Sequence, residues 1–186
     1  GAGTIAVEAA FMATDKAPLL DNHEDFAFLK LDLHDQEIWE EVLKEAHDRH
    51  EKGKQKEVSI TCWDIDPDAV ELAHRHAIEA KVDHLITFEV KDFTQITKED
   101  VPHTIGYVVT DPPYGIRMEE SASLYKLYTS MGKQLNTLFE GWNVAILTGS
   151  SELLSFVDMK PERTNSFYNG PIEAQLAHYR VFTQQE

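Results

Sequence analysis

Cysteine is nearly absent: Cys62 stands alone among 186 residues, so neither an internal disulfide framework nor a paired-thiolate metal site can form. No apolar run is long enough to cross a bilayer or to act as the hydrophobic stretch of a signal peptide. The setting expected from both absences is reducing and cytoplasmic, with no membrane partner. Positive charge is scarce as well. Seventeen Lys and Arg face 33 Asp and Glu, a formal net charge of −16, whereas a self-sufficient nucleic-acid binder usually shows a basic face. If the substrate is a nucleic acid, the acidic groups lie away from it or another domain supplies the phosphate contacts. Lys30, Arg117 and the pair Lys160 and Arg163 are the local candidates, and each also suits an ordinary solvated surface group. There are nine histidines, including His47 with His50 and His74 with His76, but none has zinc spacing, so no metal is expected.

The residues that are present read as one soluble globular domain, 42% hydrophobic and 27% charged, without repeats or low-complexity tracts. Apolar stretches alternate with helical patterns, the habit of βαβ units around a mostly parallel sheet. Residues Thr4 to Thr14 read as a helix, with Pro18 forbidding its continuation. Asp21 to Leu33 reads as a loop carrying Phe26 and Phe28. From Asp35 to Lys52 the residues Ile38, Trp39, Val42, Leu43 and Ala46 recur at helical spacing, and Gly53 stands where a C-cap belongs. Val58 to Trp63 is β-rich and ends in the acidic run Asp64, Asp66, Asp68. Asp66 suits an N-cap and Pro67 the first position of a helix whose core face is Ala69, Leu72, Ala73, Ala77 and Ile78. Further strands are expected at Leu85 to Val90, Ile105 to Thr110 and Trp142 to Leu147, with a helix over Ser123 to Phe139. The tail, Arg163 to Tyr168, Asn169-Gly170 and Ile172 to Phe182, reads as two long strands joined by a tight turn, closing the sheet with an antiparallel hairpin.

In open parallel sheets ligands gather outside the carboxyl ends of the strands. The residues standing there are Asp64, Asp92 and Asp111. Asp64 suits the hydroxyls of a ribose, and Asp92 an adenine amino group with Phe93 beside the ring; both equally suit carboxylates that end a strand and cap the next turn. Gly1-Ala2-Gly3-Thr4 before a helix fits a turn that lets a cofactor approach the backbone at a helix N-terminus, a short motif of low specificity.

Asp111-Pro112-Pro113-Tyr114 is the sharp signal. Two prolines after a buried strand make a stiff turn with no free N–H, so the turn presents acceptors only: its carbonyls and the Asp111 carboxylate. An exocyclic amine on a base is a poor nucleophile because its lone pair is delocalised into the ring. Accepting its protons on the Asp111 carboxylate and the Pro112 carbonyl draws that nitrogen towards tetrahedral geometry and aims the lone pair at a methyl-sulfonium carbon. An already activated methyl donor needs positioning more than a strong base. Tyr114 can stack on an extracted base. The plain alternative is a proline-rich turn that only ends a strand. Arg117 suits either a phosphate contact or the ordering of the loop. Cys62, within a strand, reads as a small buried hydrophobe, and Trp39, Trp63 and Trp142 as core or part-buried residues.

Taken together, Gly-Ala-Gly-Thr-Ile-Ala-Val-Glu-Ala-Ala at 1 to 10, the segment Phe26 to Trp39, Asp-Ile-Asp-Pro at 64 to 67, Leu-Ile-Thr-Phe-Glu-Val-Lys-Asp at 85 to 92, Asp-Pro-Pro-Tyr-Gly-Ile-Arg at 111 to 117, Gly-Trp-Asn at 141 to 143 and Tyr-Asn-Gly-Pro at 168 to 171 resemble the class I methyltransferases of the THUMP-associated ribosomal RNA type. The likeness is greatest to the large-subunit ribosomal RNA guanine-N2 methyltransferases and spans nearly the whole chain. It implies a Rossmann-like α/β sheet with helices on both faces, S-adenosylmethionine as cofactor and ribosomal RNA as substrate. Residue by residue, it implies that Gly1 and Gly3 line the cofactor, that Asp64 with Ile65 holds its ribose and Asp92 with Phe93 its adenine, that Asp111 to Tyr114 hold the base, and that Arg117 lies on the substrate side.

Two departures accompany the likeness. The family usually has Asn at the position of Asp111, and Asp there is common in DNA adenine and cytosine amino-methyltransferases. The family's first strand and its RNA-binding module are missing from residues 1–186, so the chain is expected to be a catalytic fragment whose sheet is split at the missing central strand. The leading expectation is methylation of guanine N2 in ribosomal RNA. Alternatives are N6-adenine methylation on DNA or RNA, glutamine N5-methylation on a protein, and a catalytically inactive binding or assembly module.

Overall fold

The computed structural model describes residues 1–115, 121–170 and 172–182. The chain divides into two compact units, Gly1–Val90 and Lys91–Glu186.

In the first unit, helix α1 (Thr4–Ala13) ends where the Thr14 hydroxyl turns back onto the Ala10 carbonyl at 2.8 Å. The expected loop contains two short 3-10 helices, Leu20–Asp25 and Ala27–Lys30. Phe26 and Phe28 leave it to pack edge-on against Trp39, at 5.8 and 5.0 Å between ring centroids. Helix α2 (Gln36–Gly53) begins at Asp35, whose carboxylate accepts from the backbone N–H groups of Glu37 and Ile38 at 3.0 and 3.1 Å. That satisfies two of the four donors left open at any helix start. Gly53 proves to be the last helical residue and not the cap beyond it. It is buried where a Cβ would lie 1.8 Å from the Thr14 carbonyl oxygen, so the glycine permits contact between segments instead of a left-handed turn.

Of the expected apolar face of α2, Trp39, Leu43 and Ala46 are half-buried, while Ile38 and Val42 stay 59% and 50% exposed. Five apolar positions in the helix are more than its neighbours in this unit cover. Strand β1 (Ile60–Asp64) pairs in parallel with β2 (Ile86–Val90), Ile60 opposite Ile86 and Asp64 opposite Val90. Between them runs α3 (Pro67–Glu79), started by Asp66, which accepts from the Asp68 N–H at 2.9 Å, and by Pro67 in the first turn, as the sequence predicts. Ala73 and Ala77 are buried there, but Ile78 is exposed. The core of this unit is built on small side chains, Ala6, Ala10 and Ala77 with Val82 and Ile86, which let helices and strands approach closely.

In the second unit, β3 (Tyr107–Thr110) pairs in parallel with β4 (Asn143–Thr148), Thr110 opposite Ile146. Next to β4, in antiparallel pairing, lies β6 (Ile172–Arg180), and β5 (Arg163–Asn169) forms the outer edge, giving the order β3-β4-β6-β5. The hairpin pairing continues to Asn169 opposite Ile172, one residue further than the turn expected from Asn169-Gly170. Helix α4 (Ser121–Leu138) lays Leu124, Tyr128, Met131 and Leu135 inward at helical spacing. Val144, Ile146 and Thr148 alternate inward on β4. A short helix, α5 (Ser151–Leu154), capped by the Ser150 hydroxyl, escaped the sequence reading because a single turn carries no periodicity.

The strands thus form two sheets and not one, β1-β2 and β3-β4-β6-β5. Tyr107 and Val109 on β3 remain 78% and 49% exposed.

Candidate active site

The first unit gathers Gly1, Gly3, Asp64 and Ile65 at the carboxyl end of β1. Gly3 precedes α1 with φ of 78°, and a Cβ there would come within 2.7 Å of the Ala73 Cβ. Both the left-handed backbone and the closeness of α3 therefore demand glycine. The His76 ring meets the Ala2 carbonyl at 2.9 Å, tying the same turn to α3. Asp64 accepts from the Asp66 N–H at 2.9 Å. Burial pushes the Asp64 carboxyl up, and the backbone N–H groups of Asp66 and Ile65 oppose that push. Asp64 is thus an ionised acceptor at a strand end, and beside it Ile65 offers a 67% exposed apolar side chain.

The second unit holds the other predicted residues. Asp92 accepts from the Thr94 N–H at 2.8 Å and from the Thr94 hydroxyl at 2.7 Å with one oxygen, capping the turn Phe93–Gln95. Phe93 stacks on Phe139 at 5.9 Å between centroids, and Gln134 donates to the Thr94 carbonyl at 2.7 Å. These contacts give Asp92 and Phe93 a structural duty, fixing the turn Phe93–Gln95 against α4.

Asp111 stands immediately past β3, open to solvent on one side. Burial of its other side raises the carboxyl above its ordinary value. Pro112 is buried, Pro113 exposed and Tyr114 half-buried, so the turn is anchored through its first proline and presents its acid and its aromatic ring. Arg117 lies outside the described residues.

Sequence reasoning missed the support behind this turn. The Tyr128 hydroxyl, fully buried, donates to Thr148 Oγ1 at 3.1 Å, and the Ser150 N–H donates to the same oxygen at 3.2 Å. Burial pushes the Tyr128 phenol up, and the nearby Asp111 and Tyr114 add to the effect. One turn earlier on α4, Tyr125 donates to Glu152 at 2.9 Å and stacks on Phe156 at 4.4 Å. Thr148 had a legible signal, since it ends a strand as Asp64 and Asp111 do. Tyr128 had none, because at helical spacing it is indistinguishable from a core residue. Tyr179 is also buried, and its hydroxyl has no partner among the described residues; burial pushes it up to about 12.

The surplus of negative charge is uneven. Residues 1–90 carry 21 acidic and 9 basic side chains, a net of −12, against 12 and 8 in residues 91–186, a net of −4. The unit that bears Asp111 is therefore the less repulsive to phosphate. A cavity of about 620 Å³ in this unit lies at the other edge of the sheet, among Lys98, Glu140, Gly141 and Arg180, and takes in none of the predicted residues. Among the described residues no group of three His, Cys, Asp or Glu is placed to hold a metal, and no helix is long and apolar enough to cross a membrane.

A mixed α/β fold whose strands end in acceptor side chains and in Asp-Pro-Pro-Tyr has the build of a class I methyltransferase. The chain belongs to the RMKL-like methyltransferase domain family, which matches residues 1–178. It is 35% identical, over 97% of its length, to the ribosomal RNA large subunit methyltransferase K/L of Aeromonas salmonicida, of which it spans 27%. A possible methylase from Clostridium difficile 630 superposes on all of the chain and on 47% of its own, with a TM-score of 0.86 and 29% identity. A predicted N6-adenine-specific DNA methylase from Listeria monocytogenes matches 96% of the chain and 44% of its own, with a TM-score of 0.79 and 28% identity. The putative methyltransferase SMU.472, solved as a complex with SAH, shares the fold over the whole chain and 47% of its own, with a TM-score of 0.85 and 24% identity.

Proposed function

We propose that residues 1–186 are the catalytic part of an S-adenosylmethionine-dependent enzyme that methylates the exocyclic N2 of guanine in ribosomal RNA. The observation that carries this reading is the Asp111 turn: an acid at the end of β3, a buried Pro112 that fixes the backbone and a Tyr114 ring beside it. The kinship with a ribosomal RNA methyltransferase supports the choice of RNA.

Asp64 and Ile65 fit a nucleoside, since an ionised acceptor suits ribose hydroxyls and an exposed apolar neighbour suits a ring edge. Gly1 and Gly3 line the same turn. We assign Asp92 and Phe93 to the adenine end, with the second Asp92 oxygen as the acceptor, because the first already caps the following turn. The cofactor, when bound, supplies a methyl group on a sulfonium.

The chain's own residues orient the amine. Asp111 and the Pro112 carbonyl accept its two N–H groups, Tyr114 stacks on the base, and Arg117 is assigned to the substrate's phosphates. Methylation leaves the nitrogen with one proton fewer, and the Asp111 carboxylate would accept that proton. Burial raises the Asp111 carboxyl, which makes it a better proton acceptor than an ordinary one. Transfer of tritiated methyl to undermethylated ribosomal RNA, with DNA and protein as parallel acceptors, tests the reading; label appearing on DNA or protein and not on RNA overturns it. Asp at position 111, together with the likeness to an adenine-specific DNA methylase, favours N6-adenine methylation as the second reading.

The terminal position of β3 among the described strands and the 27% share of the curated relative that the chain spans support a further strand and an RNA-binding module lying outside these residues. Calorimetry on this polypeptide alone should then give weak S-adenosylmethionine binding, and a tight complex would refute the fragment reading.

A further inference from the structure

The tip of the β5–β6 hairpin outruns the rest of its sheet, and it carries two exposed aromatic rings. Thr148, the last residue of β4, is level with Gln175 of β6, which is in turn level with Ser166 of β5. Phe167 and Tyr168 lie beyond that level, still paired to Ala174 and Glu173 of β6. β3 and β4 are parallel, and β5 runs in their direction because two antiparallel pairings intervene. The tip therefore rises from the same end of the sheet, the carboxyl end of β3 and β4, as the Asp111 turn.

Side chains alternate along a strand, so the two rings face opposite ways. Tyr168 falls on the face that α4 covers lower down, and Phe167 on the other. They are 75% and 48% exposed, which leaves each ring open to a flat partner. In a chain of net charge −16 the two strands of the hairpin carry one acidic side chain, Glu173 opposite Tyr168, while Arg163 and Arg180 stand at the end away from the tip.

Strand spacing puts β5 about 14 Å sideways from β3, and the tip about 10 Å further out than Asp111. That offset is too large for either ring to cover the base held at Asp111, and suits bases a nucleotide or two away in the strand. An amine inside a duplex cannot reach Asp111 unless its base is unstacked, and unstacking costs a few kcal/mol. A pair of rings facing opposite ways can replace the lost stacking for neighbouring bases.

We propose that Phe167 and Tyr168 form a stacking wedge for unpaired RNA bases flanking the methylated nucleotide. The inference rests on the RNA reading above, and its test is chosen to separate the two. In a Tyr168→Trp chain, a single-stranded 12-nucleotide RNA should quench the new indole emission, while a blunt RNA duplex of the same sequence should quench it little. By fluorescence anisotropy the single strand should bind about tenfold more weakly to Phe167→Ala/Tyr168→Ala than to the unmodified chain, and Tyr168→Phe should retain the affinity. Unchanged affinity in the double variant, with circular dichroism showing it folded, overturns the wedge, as does quenching by a Lys/Leu-rich helical peptide but not by RNA. Methyl transfer to RNA with an inert tip removes the wedge and leaves the RNA reading standing. Tip-dependent RNA binding with methyl transfer only to another acceptor leaves a base-stacking tip but removes both the reading and the tip's place beside a methylated nucleotide.

Discussion

The Tyr128 hydroxyl donates to Thr148 Oγ1 at 3.1 Å, and neither residue exposes any surface. Through this contact α4 holds the end of β4, next to the strand from which Asp111 emerges. Tyr179, buried in the same unit, has a hydroxyl with no partner among the described residues. Removing each hydroxyl should therefore have opposite effects. Tyr128→Phe loses a satisfied buried hydrogen bond and should cost about 1 kcal/mol, whereas Tyr179→Phe removes an unsatisfied one and should be neutral or slightly stabilising. Urea denaturation of both variants measures the difference, and equal losses would discount the contact.

Asp111→Ala should abolish turnover, because it removes the acceptor while leaving the strand and Pro112 in place. An unchanged rate rejects the mechanism.

The pH dependence comes from the same carboxyl. Only its ionised form accepts the amine protons, and burial raises its pKa above the ordinary 3.8. Activity should consequently fall as pH drops through that raised value and hold steady above it. Asp111→Asn keeps an acceptor oxygen that does not titrate, so it should retain part of the rate and lose this acid limb. Persistence of the limb in Asp111→Asn assigns it to another group.

Gly3→Ala should destabilise the first unit by roughly 1–3 kcal/mol, combining left-handed strain with the approach to Ala73. Hydrogen exchange resolves the location: protection should drop in α1 and α3 before it drops in β4 and β6. A uniform loss of protection would contradict this placing.

Asp64→Asn should weaken S-adenosylmethionine binding at least tenfold in the longest chain that carries these residues. Replacing an ionised acceptor by a neutral amide loses a charge-assisted hydrogen bond of about 1.5–3 kcal/mol. Titration calorimetry gives the number directly, and an unaltered affinity would remove Asp64 from the cofactor site.

Much of the architecture was legible because its signals are local. Asp35 and Asp66 as caps, Pro67 in a first turn, the apolar stripe of α4 and the C-terminal hairpin each arise from a few neighbouring residues. The failures share the opposite character. Ile38, Val42 and Ile78 had the spacing of a core face but remain exposed, since spacing says which residues share a side and not whether anything covers it. Gly53 has the look of a cap in sequence, and only the approach of the Thr14 carbonyl, far away in the chain, gives its reason.

The site divides in the same way. The sequence by itself determined the Asp-Pro-Pro-Tyr turn, with its acceptors and missing donors, because proline chemistry is intrinsic to the residues. It also determined the acidic strand ends and the limits set by one cysteine and a net charge of −16. Only the tertiary structure decided that Asp92 spends one oxygen on a cap, that Tyr128 reaches Thr148, and that the hairpin tip rises from the Asp111 end of the sheet. Those facts depend on register and on contacts between residues distant in sequence, and no local pattern encodes a distance across a sheet.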